Sequence, residues 1–183
     1  MPQKIDTKID GIVLIEPEVH GDERGFLLET YRRDVWAELG VELDFVQENH
    51  SRSTRRGTLR GLHFQTDPGQ AKLVRCLRGR IWDVAVDLRR DSPSFGQWEG
   101  HELDDERHRQ LLVPVGFAHG FCVLSEVADV SYKLSSVYTP AGDAAIAWND
   151  PEIGIEWPVT DPLLSERDRA APPLSTLVDS LPW

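Results

Sequence analysis

Between Gly57 and Cys76 the chain reads GTLRGLHFQTDPGQAKLVRC, which sets His63, Arg60, Arg75 and Lys72 among strand-forming residues. An imidazole titrates near neutrality and moves protons, while guanidinium and ammonium groups hold phosphates or developing negative charge. Short strands beside tight turns are how a β-barrel lines its mouth with such groups. Pro68-Gly69 divides the stretch as a turn. Alternation puts Lys72, Val74 and Cys76 on one strand face and Leu73, Arg75 and Leu77 on the other. Arg60 and His63 would point to opposite faces of a regular strand. A bulge at Gly61 would bring both inward. The plainer reading is two ordinary strands with a satisfied histidine and solvated bases, and residue types alone leave both open.

Other side chains invite the same double reading. His119 lies in Gly116-Phe117-Ala118-His119-Gly120-Phe121, where glycines let a backbone approach a ligand closely, or where a turn histidine bonds its own loop. Tyr132 alternates with Val130 and Leu134 and points inward, as a reactive phenol or as core. Asp83 and Asp87 share one face of the strand IWDVAVDL, as an acid/base pair or as a solvated face.

The elements that must position these residues follow in order. Strands are expected at Ile12–Glu16, Phe26–Tyr31, Phe45–His50, Ile81–Leu88, Gly96–Leu103, Leu111–Val113, Gly120–Leu124, Val130–Leu134 and Ala144–Trp148. His20–Gly25 reads as a charged turn, Ser51–Arg56 as a polar, basic loop, and Gly79 as a hairpin turn. Arg33–Leu39 is the best helix, with Val35, Trp36 and Leu39 at helical spacing and Gly40 as its stop. The segment from residue 151 to 183, rich in proline and acidic groups, reads as an ordered but irregular tail on a core of about residues 10–150. Many short strands with Gly-, Pro- and Asp-rich turns predict a single all-β domain, a barrel or jelly roll, rather than a parallel α/β sheet.

With 183 residues, 40% of them apolar, the chain can bury one sizeable core. A net charge of −11 argues against nonspecific binding to nucleic acid or an anionic membrane, but leaves room for a local basic pocket. No signal-peptide pattern opens the chain and no apolar run approaches the roughly 18 residues of a membrane span, so a cytoplasmic protein is expected. Cys76 and Cys122 read as buried thiols rather than a disulfide. GxGxxG and GxxxxGK[ST] are absent, as is any Cys/His cluster for zinc. Metal-binding barrels of this kind place HxH on one strand, whereas Gly61-Leu62-His63-Phe64-Gln65 offers one histidine.

The motifs GDERGF, GTLRGLHFQ, KLVRC, DVAVDLRRDSPSFGQW, VPVGFAHGF, WNDPEIGIEWP and SERD, in this order over residues 10 to 174, closely resemble the dTDP-4-dehydrorhamnose 3,5-epimerase family. The resemblance implies a cupin-like jelly-roll barrel with short peripheral helices, usually a homodimer, using neither metal nor organic cofactor. It implies a dTDP-4-keto-6-deoxyhexose substrate, whose C3 and C5 protons are acidified by the C4 carbonyl. By the same resemblance His63 is the base, Asp168 orients it, Tyr132 is the opposite-face acid, and Lys72 stabilises the enolate oxygen. His119 and Asp83 match positions near the sugar. Arg60 matches a diphosphate contact, Gln47 and Asn49 polar contacts in the same pocket, and Tyr138 a ring stacked near thymidine. Arg24, Phe26 and Glu29 match nucleotide contacts supplied by a partner subunit. Arg167 stands where lysine is common and Asp143 where glutamate is common, swaps that keep charge but change reach. Three alternatives remain: a mono-epimerase acting at C3 or C5, a catalytically silent sugar-nucleotide-binding barrel, and a metal-dependent cupin oxygenase.

Overall fold

In the computed structural model, which describes residues 1–183, every paired strand is antiparallel to its neighbour. The elements in chain order are β1 (Gln3–Ile5), β2 (Val13–Glu16), β3 (Val19–Asp22), β4 (Gly25–Leu28), α1 (Arg33–Glu38), β5 (Gln47–Ser53) and β6 (Leu59–Gln65). They continue as β7 (Lys72–Arg78), β8 (Arg80–Asp87), β9 (Trp98–Asp104), β10 (Gln110–Val113), β11 (Phe117–Val123), β12 (Ala128–Leu134), β13 (Asp143–Ala145) and α2 (Glu166–Arg169). One sheet has the order β1-β2-β10-β7-β12-β5, the second β13-β6-β11-β8-β9, and β3 with β4 forms a separate hairpin.

The two large sheets face each other across one core. Val74, Cys76, Leu111 and Val130 come from the first and Ile81, Ala85, Phe117 and Phe121 from the second. Alternation then decides what lies outside each sheet. Ile15, Leu73 and Leu112 point away from the core and pack on Trp36 of α1, which is fully buried. Leu62, Phe64, Val84 and Val86 point outward from the second sheet and meet Ile146, Ile153, Leu174 and Leu181 of the C-terminal segment. The second sheet is therefore covered on its outer face and the first where α1 packs, while β5 at the edge keeps an exposed face, in a cupin-like jelly roll with short peripheral helices.

The bulge expected at Gly61 is present. His119 pairs with His63 and Phe121 with Arg60, so two steps along β11 span three along β6. Gly61 has φ of 130°, and a Cβ added there would lie 2.5 Å from Gly120 Cα, so no larger residue fits the bend.

Several expectations are corrected. Ser51–Ser53, read as loop, belong to β5, where Arg52 reaches across to Asp129 on β12 with Nε–Oδ1 at 2.7 Å. His20–Asp22, read as turn, are strand, and β4 ends at Leu28 rather than Tyr31. The strand expected at Ala144–Trp148 shortens to Asp143–Ala145. Asp83 and Asp87 are neither solvated nor paired with each other: both are fully buried, Asp83 against His119 and Asp87 against Arg89, Ser92 and Ser94. Cys76 and Cys122 are buried free thiols, and burial pushes them up to about 12 and about 11. No helix is long and apolar enough to cross a membrane.

Candidate active site

A cavity of about 310 Å³ opens between the two sheets, lined in part by Arg60, His63, Lys72, His119, Tyr132, Arg167 and Asp168. β6 and β11 of one sheet deliver Arg60, His63 and His119. β7 and β12 of the other deliver Lys72 and Tyr132. A group bound between the sheets thus meets a histidine on one wall and a phenol and an ammonium on the other.

His63 Nε2 lies 2.6 Å from Asp168 Oδ1. With Nε2–H donating to that carboxylate, the ring keeps its lone pair on Nδ1, the tautomer a general base requires. Asp168 is only 4% exposed although it sits on the C-terminal segment. Its own N–H donates to Ser165 Oγ at 3.1 Å, capping α2. Burial alone would push its carboxyl up. The His63 bond and charge, Ser165 and the Gly61 amide outweigh that and hold it below its usual range. It is an anion at neutral pH.

His119 is the cross-strand neighbour of His63 and has its own carboxylate, with Nε2 2.9 Å from Asp83 Oδ2. Lys72 is buried, and its Nζ donates to the His63 carbonyl at 3.0 Å. Burial brings its ammonium down to about 8, against the opposing pull of Asp143 and Asp83. It is charged at neutral pH, yet so poorly solvated that a developing oxyanion nearby gains more from it than in water.

At the rim, Arg167 Nη2 pairs with Asp143 Oδ2 at 2.8 Å, and the Tyr138 hydroxyl donates to the same oxygen at 3.1 Å. The two residues that depart from the family pattern therefore bind each other. Gln47 Nε2 donates to Asn49 Oδ1 at 3.0 Å, and Gln47 Oε1 accepts the Tyr138 N–H at 2.9 Å, so these three are tied into one network; neither they nor Asp143 line the cavity. Arg24, Phe26 and Glu29 do not line the cavity of their own chain: Arg24 and Phe26 lie on the exposed β3–β4 hairpin and Glu29 just beyond it. The cavity also contains Ser51, Phe121 and Ser165, which sequence reasoning passed over. Alternation from Asn49 would have found Ser51, and the Ser-x-x-Asp spacing of a helix cap would have found Ser165. The buried Ser51 hydroxyl has no partner within the chain.

A jelly roll with an anionic histidine dyad facing a phenol and a desolvated ammonium offers a proton acceptor and a proton donor on opposite walls, the arrangement a proton-transfer enzyme needs. Comparison with known proteins narrows the class. The family model described as dTDP-4-dehydrorhamnose 3,5-epimerase matches residues 6–176. The dTDP-4-dehydrorhamnose 3,5-epimerase of Methanothermobacter thermautotrophicus is 51% identical over 173 residues, covering 93% of each chain. A dTDP-4-dehydrorhamnose 3-epimerase of Streptomyces niveus is 46% identical over 165 residues, covering 89% of this chain and 79% of its own. Among solved structures, a dTDP-6-deoxy-D-glucose-3,5-epimerase of Legionella pneumophila in complex with dTDP-4-keto-L-rhamnose superposes with a TM-score of 0.95 at 45% identity, covering 100% of this chain and 98% of its own. The chain belongs to the dTDP-4-dehydrorhamnose 3,5-epimerase family and is an isomerase.

Proposed function

We propose that this isomerase inverts C3 and C5 of a dTDP-4-keto-6-deoxyhexose, turning dTDP-4-dehydro-6-deoxy-glucose into dTDP-4-dehydro-rhamnose. The observation that carries the reading is the placement of His63 and Tyr132 on opposite walls of one cavity. His63 Nδ1 takes the proton from C5 or C3, and the electron pair moves through the C–C bond onto the C4 oxygen. Lys72, with His119 and Asp83 in support, stabilises that enolate. The Tyr132 hydroxyl returns a proton to the opposite face and becomes a phenolate, which solvent reprotonates while His63 releases its proton. No redox step or Lewis acid is required by this balance. Arg60 takes the diphosphate, while Gln47, Asn49, Tyr138, Asp143 and Arg167 form the nucleotide end. Proton NMR of the ketosugar nucleotide with enzyme in deuterated water tests the assignment. Deuterium is expected at both C3 and C5. Similarity to the Streptomyces niveus 3-epimerase keeps a single-centre reading in view, and exchange at one carbon alone would select it.

The low ammonium of Lys72 gives a two-sided prediction. In the free enzyme kcat/KM should fall as pH rises through about 8, and this limb should vanish in Lys72→Met. Stability should move the other way. An unfolded lysine holds its proton up to its reference value of about 10.4, so between about 8 and that value the unfolded chain binds more protons, and Lys72 weakens folding most fully below about 8. Lys72→Met is therefore expected to raise Tm at neutral pH, partly offset by the lost bond to the His63 carbonyl, while kcat drops by about 10²–10³. A lower Tm together with an unchanged pH profile would refute the assignment.

We further propose a homodimer whose sites are completed across the interface by Arg24, Phe26 and Glu29. The support is the β3–β4 hairpin, which joins neither large sheet and leaves Phe26 62% and Leu27 74% exposed. Phe26→Glu should dissociate the dimer in sedimentation and weaken dTDP binding together. A parent protein that is monomeric at working concentration would end this reading.

A further inference from the structure

The motif WNDPEIGIEWP supplies no cavity residue, yet it contains a buried carboxylate fixed to the segment that carries Asp168. Asp150 is 4% exposed. Its Oδ1 accepts the Glu152 N–H at 2.9 Å and its Oδ2 accepts the Leu174 N–H at 2.7 Å. Just before it, the Ala147 N–H donates to the Pro172 carbonyl at 2.8 Å. Upstream of Asp168 the chain is pinned to β6 itself, with the Leu59 N–H donating to the Leu163 carbonyl at 3.0 Å and the Leu163 N–H to the Gly57 carbonyl at 2.9 Å. Asp168 thus hangs between two anchors. The first belongs to the strand that bears His63; the second joins Ala147 to Pro172 through the backbone and Leu174 to Asp150 through its carboxylate.

We propose that Asp150 is a positioning residue for the reaction, acting through Asp168. The inference rests on the role proposed above for the His63–Asp168 pair. A carboxylate suits the joint because it accepts two backbone N–H groups and brings no donor of its own to satisfy. A 2.6 Å contact between His63 and Asp168 tolerates little drift of the segment bearing the carboxylate. Releasing Leu174 lets α2 move away, and His63 then loses the partner that fixes its tautomer. Among the nucleotide contacts proposed above only Arg167 rides on α2, and those on β5 and β6 are untouched, so most affinity should survive while turnover falls.

Kinetics of Asp150→Asn, Asp168→Asn and the double variant test this, with dTDP titration as the check on folding. The amide introduced by Asp150→Asn would set an N–H₂ group against one of the two backbone donors. Asp150→Asn should lose at least about tenfold in kcat, the scale of a small misplacement at a reacting group, with KM within about threefold. The double variant should be no slower than Asp168→Asn within about twofold, because residues acting as one unit are not additive. In the single variant the low-field imidazole proton of His63 should broaden or vanish, while that of His119 persists. Asp150→Glu, which keeps the charge and both acceptors, should recover part of kcat and carries the same cycle if the asparagine variant does not fold. Multiplicative losses, an intact His63 resonance or unchanged kcat would overturn the proposal. So would loss of dTDP binding in both Asp150 variants, since Asp150 would then hold the whole barrel. Full activity in Asp168→Asn would instead end the reading of the dyad itself.

Discussion

His63→Asn is expected to abolish deuterium uptake at both sugar carbons while leaving dTDP affinity within several-fold. Asparagine keeps a polar group at the bend of β6 but has nothing that accepts a proton at neutral pH. Removing a general base costs about 10²–10⁴ in rate, so product formation should fall by at least that factor. Binding should persist because the cationic and polar groups assigned to the nucleotide, Arg60 foremost, belong to other residues. The Gly61 bulge, not the imidazole, sets the position of Arg60. An equal loss of dTDP affinity and of rate would mean that His63 serves structure, as an ordinary satisfied strand histidine.

The barrel was legible because alternation is a strong signal where one face of a strand is polar. Lys72, Val74 and Cys76 do share the inward face, and Gly61 does host the bend that aligns Arg60 with His63. The signal fails where both faces are buried. Val84 and Val86 point outward under the C-terminal segment, while Asp83 and Asp87 point inward, and all four are fully buried. Alternation paired the two aspartates but could not show which face met water. The polar residues of β5 misled for the opposite reason: an edge strand carries charges such as Arg52 outward, and a polar run then reads as loop. Leu174 and Leu181 have no periodicity to announce that they cover a sheet. Asp168 is legible only through family resemblance, since no local pattern links it to a histidine 105 residues earlier.

Tyr132→Phe is expected to separate two events that the parent enzyme couples. The substitution removes one hydroxyl and keeps the ring, so β12 should pack as before between β5 and β7. His63 on the other sheet and Asp168 on α2 keep their contact and remain able to form the enolate. With no acid on the far face, the proton returns from the side it left. Solvent deuterium should therefore enter with retained configuration, and inversion should fall by about 10²–10⁴, the scale of general acid catalysis.

The ratio of deuterium exchange to inversion at C5, measured by NMR in Tyr132→Phe beside the parent, bears most directly on transfer between opposite walls. The account predicts that the ratio rises by at least about tenfold in the variant, as the general acid is lost while the base is kept. An unchanged ratio with fast inversion would contradict it and assign the returning proton to another donor.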